Sequence, residues 1–225
     1  MRRLNRLQRV RGSYDKANSK SAIHMVSAWA TENGVVLGQV KVKDKSNEIT
    51  AIPKLLETLE LKGCIVTLDA MGCQKSIAQN IIDQKADYLF SLKGNQGNTH
   101  EEVQHYFDTH KSYKEHTTID ADHGRIEMRE YFIASAVDLP IINEWPSIKS
   151  IAMVRSTREK KDKKSVESRY FISSLDLNIK KISKAIRSHW GIENSLHWVL
   201  DVTFDEDKKR IRKGDAAENL SLIHI

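Results

Sequence analysis

Two short apolar runs, Cys64-Ile-Val-Thr-Leu-Asp69 and Asp87-Tyr-Leu-Phe-Ser-Leu92, flank a stretch of helical periodicity, and this alternation constrains the fold more than any other feature of the chain. The first run lies between Gly63 and Gly72 and is nearly continuous in apolar character, the pattern of a strand buried on both faces. From about Gln74 to Gln84, Ile77, Ala78, Ile81 and Ile82 recur at helical spacing. Strand, helix, strand implies a parallel crossover unit, and so an α/β fold. The first strand ends on a carboxylate, Asp69, at the sheet edge where such folds open a crevice. On position alone Asp69 is either a solvated strand-end residue or an active-site acid.

The flanking segments extend this frame. Ala22–Ala30 and Val35–Val42 surround Glu32-Asn33-Gly34, which predicts a β-hairpin with an Asn-Gly turn signal. Pro53 suits the first turn of a helix whose Leu55, Leu56 and Leu59 share a face and which Gly63 closes. After the loop Lys93-Gly-Asn-Gln-Gly, Thr99 reads as the N-cap of a helix through about His110. Between about residues 112 and 176 the texture turns strand-like, with runs at Arg125–Ala136, Ser150–Ser156 and Val166–Ser174, and with the charged stretch Arg158–Lys164 read as a separator. This predicts a β-rich insertion before a C-terminal helix over Ile179–Trp198. Residues 1–14 hold several arginines and no acid, and are expected to form a basic segment outside the fold, without regular structure, ahead of one interrupted domain over 15–225.

Composition narrows the function classes. The chain has 225 residues, 40% hydrophobic and 29% charged, which excludes a disordered or membrane-spanning composition. No segment approaches the roughly 20 apolar residues of a spanning helix, so no membrane partner and a cytoplasmic location are expected. Lys and Arg number 36 against 30 acids, a formal net charge of +6 that favours a polyanionic partner. The two cysteines, Cys64 and Cys73, match neither a redox pair nor a zinc ligand set.

A second acid, Glu193, sits in His189-Trp-Gly-Ile-Glu-Asn-Ser-Leu-His-Trp, where His189, Glu193 and His197 fall on one helical face. That stripe is either a metal-binding face or packing with polar contacts, and it lacks the spacing of zinc proteases. A strand-end Asp and a distant helical Glu suit magnesium-dependent phosphoryl transfer, in which carboxylate oxygens hold two ions about 4 Å apart.

From Gly12-Ser-Tyr-Asp-Lys onward, over nearly the whole chain, the sequence resembles the DDE transposases of bacterial insertion sequences, in the group of H-repeat-associated, Rhs-linked proteins. The stretches that carry the likeness are Ser21-Ala-Ile-His-Met-Val-Ser-Ala, Asn33-Gly-Val-Val-Leu-Gly-Gln, Lys45-Ser-Asn-Glu-Ile-Thr-Ala-Ile-Pro, Thr67-Leu-Asp-Ala-Met-Gly-Cys-Gln, Leu92-Lys-Gly-Asn-Gln, His123-Gly-Arg-Ile-Glu and the Glu193 block. The resemblance implies a ribonuclease-H-like mixed sheet with flanking helices, with the β-rich insertion preceding the catalytic helix. It makes Asp69 the second and Glu193 the third acid of the triad. It also implies Mg²⁺, with Mn²⁺ as a substitute, and double-stranded DNA, both element ends and target, as partner of an enzyme that cuts the ends and joins them to target DNA. A homo-oligomer is a further expectation.

Two departures qualify this. The family sets its first acid in a motif resembling Ile-Asp-Gly-Lys-Thr-Leu-Arg, where this chain reads Asn5-Arg-Leu-Gln-Arg-Val-Arg11. Around the final glutamate, places that related enzymes give to Tyr, Arg and Lys hold Ile186, His189 and Leu200. The expectation is a truncated copy, impaired in catalysis by the lost acid. The alternative is a non-catalytic DNA-binding remnant or inhibitor of transposition. A third reading is a pseudogene product that barely folds, because without its first strand the sheet has an uncovered edge beside the hairpin. DNA contacts are expected from Lys93, Asn95 and Gln96 on the loop after the last parallel strand, from His123, Arg125 and Arg129 on the insertion, and from Arg187 and His189.

Overall fold

The parallel unit forms as its apolar pattern predicts. In the structure, a computed structural model that describes residues 7–10, 23–42, 48–111, 113–122, 125–160 and 163–189, strand β4 (Ile65–Leu68), helix α2 (Lys75–Asp83) and strand β5 (Asp87–Leu92) make a crossover with β4 and β5 parallel. Both strands are buried on both faces: Val66, Leu68, Tyr88 and Phe90 enter one core cluster, while Ile65 and Leu89 enter another. Ile77, Ala78 and Ile81 put the buried face of α2 on the first cluster.

Around this unit the sheet is mixed. Four further strands, β6 (Lys114–Asp122), β7 (Arg125–Ser135), β8 (Ser150–Lys160) and β9 (Lys163–Ser173), continue it in the order β4-β5-β9-β8-β7-β6, with every junction after β5 antiparallel. The strand-rich stretch is therefore part of the main sheet, and helices before and after it flank that sheet in a mixed α/β arrangement consistent with a ribonuclease-H-like fold. The described residues of the charged stretch expected to separate two strands, 158–160 and 163–164, instead lie within β8 and β9, which pair as far as Lys160 and Lys163. Backbone ladder bonds are indifferent to charge where side chains can reach water, so the hairpin runs on through residues whose hydropathy reads as a loop. Strand β6, KEHTTIDAD, was legible only in part for the same reason: as an edge strand it is largely exposed.

A second, three-stranded sheet has the order β1-β2-β3, with β1 at Leu7–Val10, β2 at Ile23–Ala30 and β3 at Val35–Val42. The predicted hairpin is β2–β3, and its turn includes Gly34 at φ 64°, whose amide bonds the Ala30 carbonyl at 2.9 Å. Regular structure was not expected before residue 15, yet β1 pairs antiparallel with β2 from Leu7↔Val26 to Val10↔Ile23. The hairpin edge expected to lie open is thus occupied by the chain's own N-terminal segment.

Two helix starts also differ from expectation. Helix α1 (Glu48–Glu57) begins before Pro53, which lies inside it, because Ala51, Ile52, Leu55 and Leu56 all bury against the core and that packing outweighs one missing backbone bond. Helix α3 (Gly97–Thr109) begins after a 3₁₀ turn at Gly94–Gln96, so Thr99 lies inside it and is no cap. Its buried hydroxyl instead accepts a 3.2 Å bond from Trp145 Nε1. Helix α4 (Ile179–His189) is strongly amphipathic, and its Ile182, Ala185 and Ile186 cover the second core cluster.

Candidate functional site

Asp69 stands immediately after β4, at the carboxyl edge of the parallel pair. Its Oδ1 accepts from the amides of Met71 at 3.2 Å and Gly72 at 3.3 Å, closing a tight turn. Both bonds fall on one oxygen. The side chain is half-buried, between a dry base and solvent. That base contains the fully buried Cys73, whose thiol is pushed above the usual thiol range by burial and then by the Asp69 charge. Beneath it burial raises the Tyr88 hydroxyl as well, with Cys73 adding to the effect.

Gly72 is required there by space. A Cβ at that position would stand 3.0 Å from Leu68 Cβ, 3.1 Å from Leu68 Cδ1 and 3.2 Å from Ile52 Cδ1. The turn bearing Asp69 is thereby pressed onto the strand that delivers it.

The loop after β5 braces this turn. Asn95 Nδ2 donates to the Ala70 carbonyl at 2.6 Å and Gln96 Nε2 donates to the Cys73 carbonyl at 2.8 Å. Two residues expected to meet a substrate phosphate thus hold the Asp69 turn, while Lys93, at the start of the same loop, is exposed. The third contribution comes from α4. His189 at its end lies with Nδ1 3.2 Å from Thr67 Oγ1, two residues before Asp69 along β4. Asp69, Asn95, Gln96 and His189, spread over 121 positions of sequence, are gathered at one edge of the sheet.

The other expected residues do not join this group. Arg129 is bound to Asp120 and, at 2.7 Å, to Glu127. Arg187 lies 3.8 Å from the same Asp120. Arg125 opens β7, paired with Lys160 at the far end of the sheet. His123 and Glu193 lie outside the described residues. Sequence reasoning missed Thr67, Glu127, Arg158 and Arg169. The available signal for Glu127 and Arg169 was Arg and Glu alternating with period two inside strands, at Glu127 and Arg129 and again at Glu167 and Arg169, whereas Arg158 has no such partner two residues away.

Among the described residues no three of His, Cys, Asp and Glu converge as a metal site. Asp69 supplies a hard carboxylate oxygen of the kind that suits a divalent ion such as Mg²⁺. No described helix is long and apolar enough to cross a membrane.

Comparison with known proteins gives this edge its context. YncI of Escherichia coli O157:H7, named as a candidate transposase, is 50% identical over 221 residues, covering 94% of this chain and 57% of that protein. YhhI of Escherichia coli K12, named as an H repeat-associated candidate transposase, is 43% identical over 227 residues, covering 96% of this chain and 60% of that protein. The similarly named YbfD of the same strain is 44% identical over 132 residues, or 57% of this chain and 52% of its own length. The chain thus spans under two thirds of the length of these relatives. The sequence also matches the transposase DDE domain over residues 5–225, and so the chain belongs to the DDE transposase family.

Proposed function

We propose that the chain forms the catalytic core of a DNA transposase, with Asp69 and Glu193 as acids that would hold Mg²⁺, or Mn²⁺ in its place, and that the copy is impaired by the lack of an acid in Asn5–Arg11. The observation that carries this reading is the contact of His189 with Thr67, two residues before Asp69. Glu193 follows His189 by four residues in sequence, and His189 itself stands at the edge that bears Asp69. The family's use of divalent ions and DNA agrees with the hard oxygen donors here and with the net charge of +6.

When bound, paired ions would activate the attacking oxygen and stabilise the leaving one. The chain's own residues do the positioning. Gly72 and the amides of Met71 and Gly72 fix the Asp69 carboxylate, Asn95 and Gln96 keep its turn from shifting, and His189 ties the last helix to β4. With one of three acids absent, ion-ion repulsion is under-compensated and the site is loose. Several kcal/mol of transition-state stabilisation are then lost, about a hundredfold or more in rate.

The test restores the acid. In the family motif the acidic position falls on Arg6, directly before β1. In a Mg²⁺- or Mn²⁺-dependent cleavage assay on duplexes carrying element ends, wild type is expected to nick weakly, Arg6→Asp to nick about a hundredfold faster, and Asp69→Asn to abolish nicking in both backgrounds. Robust strand transfer by the wild-type chain would refute the impairment. Salt-sensitive DNA binding with no nicking by any variant would support a non-catalytic remnant or inhibitor instead.

A further inference from the structure

On the face of the six-stranded sheet that carries α4, the strands change character along their length. Ile133, Ala152 and Phe171 form one cross-strand row in the core cluster beneath the helix. Moving outward, the next rows on that face are Tyr131-Val154-Arg169, Arg129-Ser156-Glu167 and Glu127-Arg158-Ser165. An apolar floor thus becomes a floor of guanidiniums and carboxylates within three rows. Between it and the last turn of α4 lies a cleft of about 230 Å³, lined by Arg129, Arg158, Arg169 and Arg187 against a single lining acid, Glu127.

The acids around this cleft orient the arginines. Glu127 is only 4% exposed and holds Arg129 through Oε2 at 2.7 Å and Arg158 Nε through Oε1 at 3.1 Å. Outside the lining, Asp120 bonds Arg129 and stands 3.8 Å from Arg187, and Glu167 holds Arg169 at two points, through Nε at 2.8 Å and Nη2 at 3.0 Å. A buried carboxylate is costly unless paired, so Glu127 fixes two guanidiniums firmly, while Arg158, held through Nε, keeps 43% of its side chain exposed. Arg187 is 51% exposed. Oriented, half-exposed guanidinium forks on a concave surface are the donor set that binds phosphate oxygens in two-point fashion, with little ordering cost left at binding.

We propose that this cleft is a phosphate-oxyanion site that takes a phosphodiester of the DNA backbone and sets the register of the duplex against the Asp69 edge. The final turn of α4 links the two places: Arg187 lines the cleft, and His189, two residues on, meets Thr67 beside Asp69. The source of the phosphate rests on the DNA-processing reading above, whereas the chemistry of the site does not.

Arginine-directed modification of the full chain with phenylglyoxal, mapped by mass spectrometry, tests both parts, alongside anisotropy of a labelled duplex over a salt series. Duplex DNA is expected to protect Arg158 and Arg169. Arg169→Gln, which releases the exposed strand residue Glu167, and the charge-conserving Arg158→Lys serve as variants whose folding is checked by circular dichroism. With Arg169→Gln the slope of log affinity against log salt should fall by about 1. Arg158→Lys should keep the slope yet weaken binding, because an ammonium lacks the fork. DNA bound with Arg158 and Arg169 still reactive would overturn the cleft and leave the DNA reading standing. Protection by pyrophosphate without any duplex binding would uphold the oxyanion site and overturn both its DNA source and the reading it rests on. Protection by neither ligand would overturn the proposal outright.

Discussion

At residue scale, the chemistry of the Asp69 turn depends on an absent side chain. Leu68 Cβ lies at the root of its side chain and cannot swing away, so a methyl group at Gly72 must move either β4 or the turn itself. Gly72→Ala is therefore expected to cost about 1–3 kcal/mol in urea denaturation, the usual penalty for overpacking a well-filled site. A stability equal to wild type would show that the turn is free to relax. Asp69 could be read from sequence because a carboxylate ending a buried strand leaves a clear local signature. The bracing roles of Asn95 and Gln96 could not be. Their partners are backbone carbonyls of Ala70 and Cys73, some 25 positions away, and carbonyls leave no trace in a sequence.

The elements show which local signals survive packing. Helix α2 and strands β4 and β5 appear where periodicity puts them, because burial on both faces leaves few alternative registers. Thr99 shows the opposite. Its residue type and its place before Glu101 and Glu102 suit a cap, yet α3 starts two residues earlier and the hydroxyl turns inward to Trp145, a residue 46 positions on. Thr99→Val should leave the buried indole N–H without its acceptor and cost about 1–3 kcal/mol, whereas Thr99→Ser should retain most of the stability. Equal melting of the two variants would remove the hydrogen bond from the account. The long β8–β9 hairpin makes the same point, since its outer rows are charged and only their register with β7 shows that they are strands.

For the molecule as a whole, two sheets share one principal core. Val26, Ala28 and Val42 of the hairpin sheet, Ile52, Leu55 and Leu56 of α1, and Phe90 and Ile172 of the main sheet belong to a single cluster. With no backbone ladder between the sheets among the described residues, these contacts hold them together, and unfolding is expected to be cooperative. Far-ultraviolet dichroism and tryptophan fluorescence, with Trp29 on β2 and Trp145 packed against α3, should trace coincident urea transitions. A separate early transition at Trp29 would show that the hairpin sheet folds on its own. The α/β class, the parallel unit, the hairpin, the strand-rich stretch after α3 and the strand-end position of Asp69 are all written in short-range periodicity and turn chemistry, and so are legible without the fold. That the later strands extend the main sheet, that residues 7–10 pair along the hairpin, and that Arg158 and Arg169 face a common cleft with Arg187 emerge only in the folded chain. Those outcomes depend on strand register and on contacts between distant segments, where many pairings satisfy the same local pattern and burial selects among them.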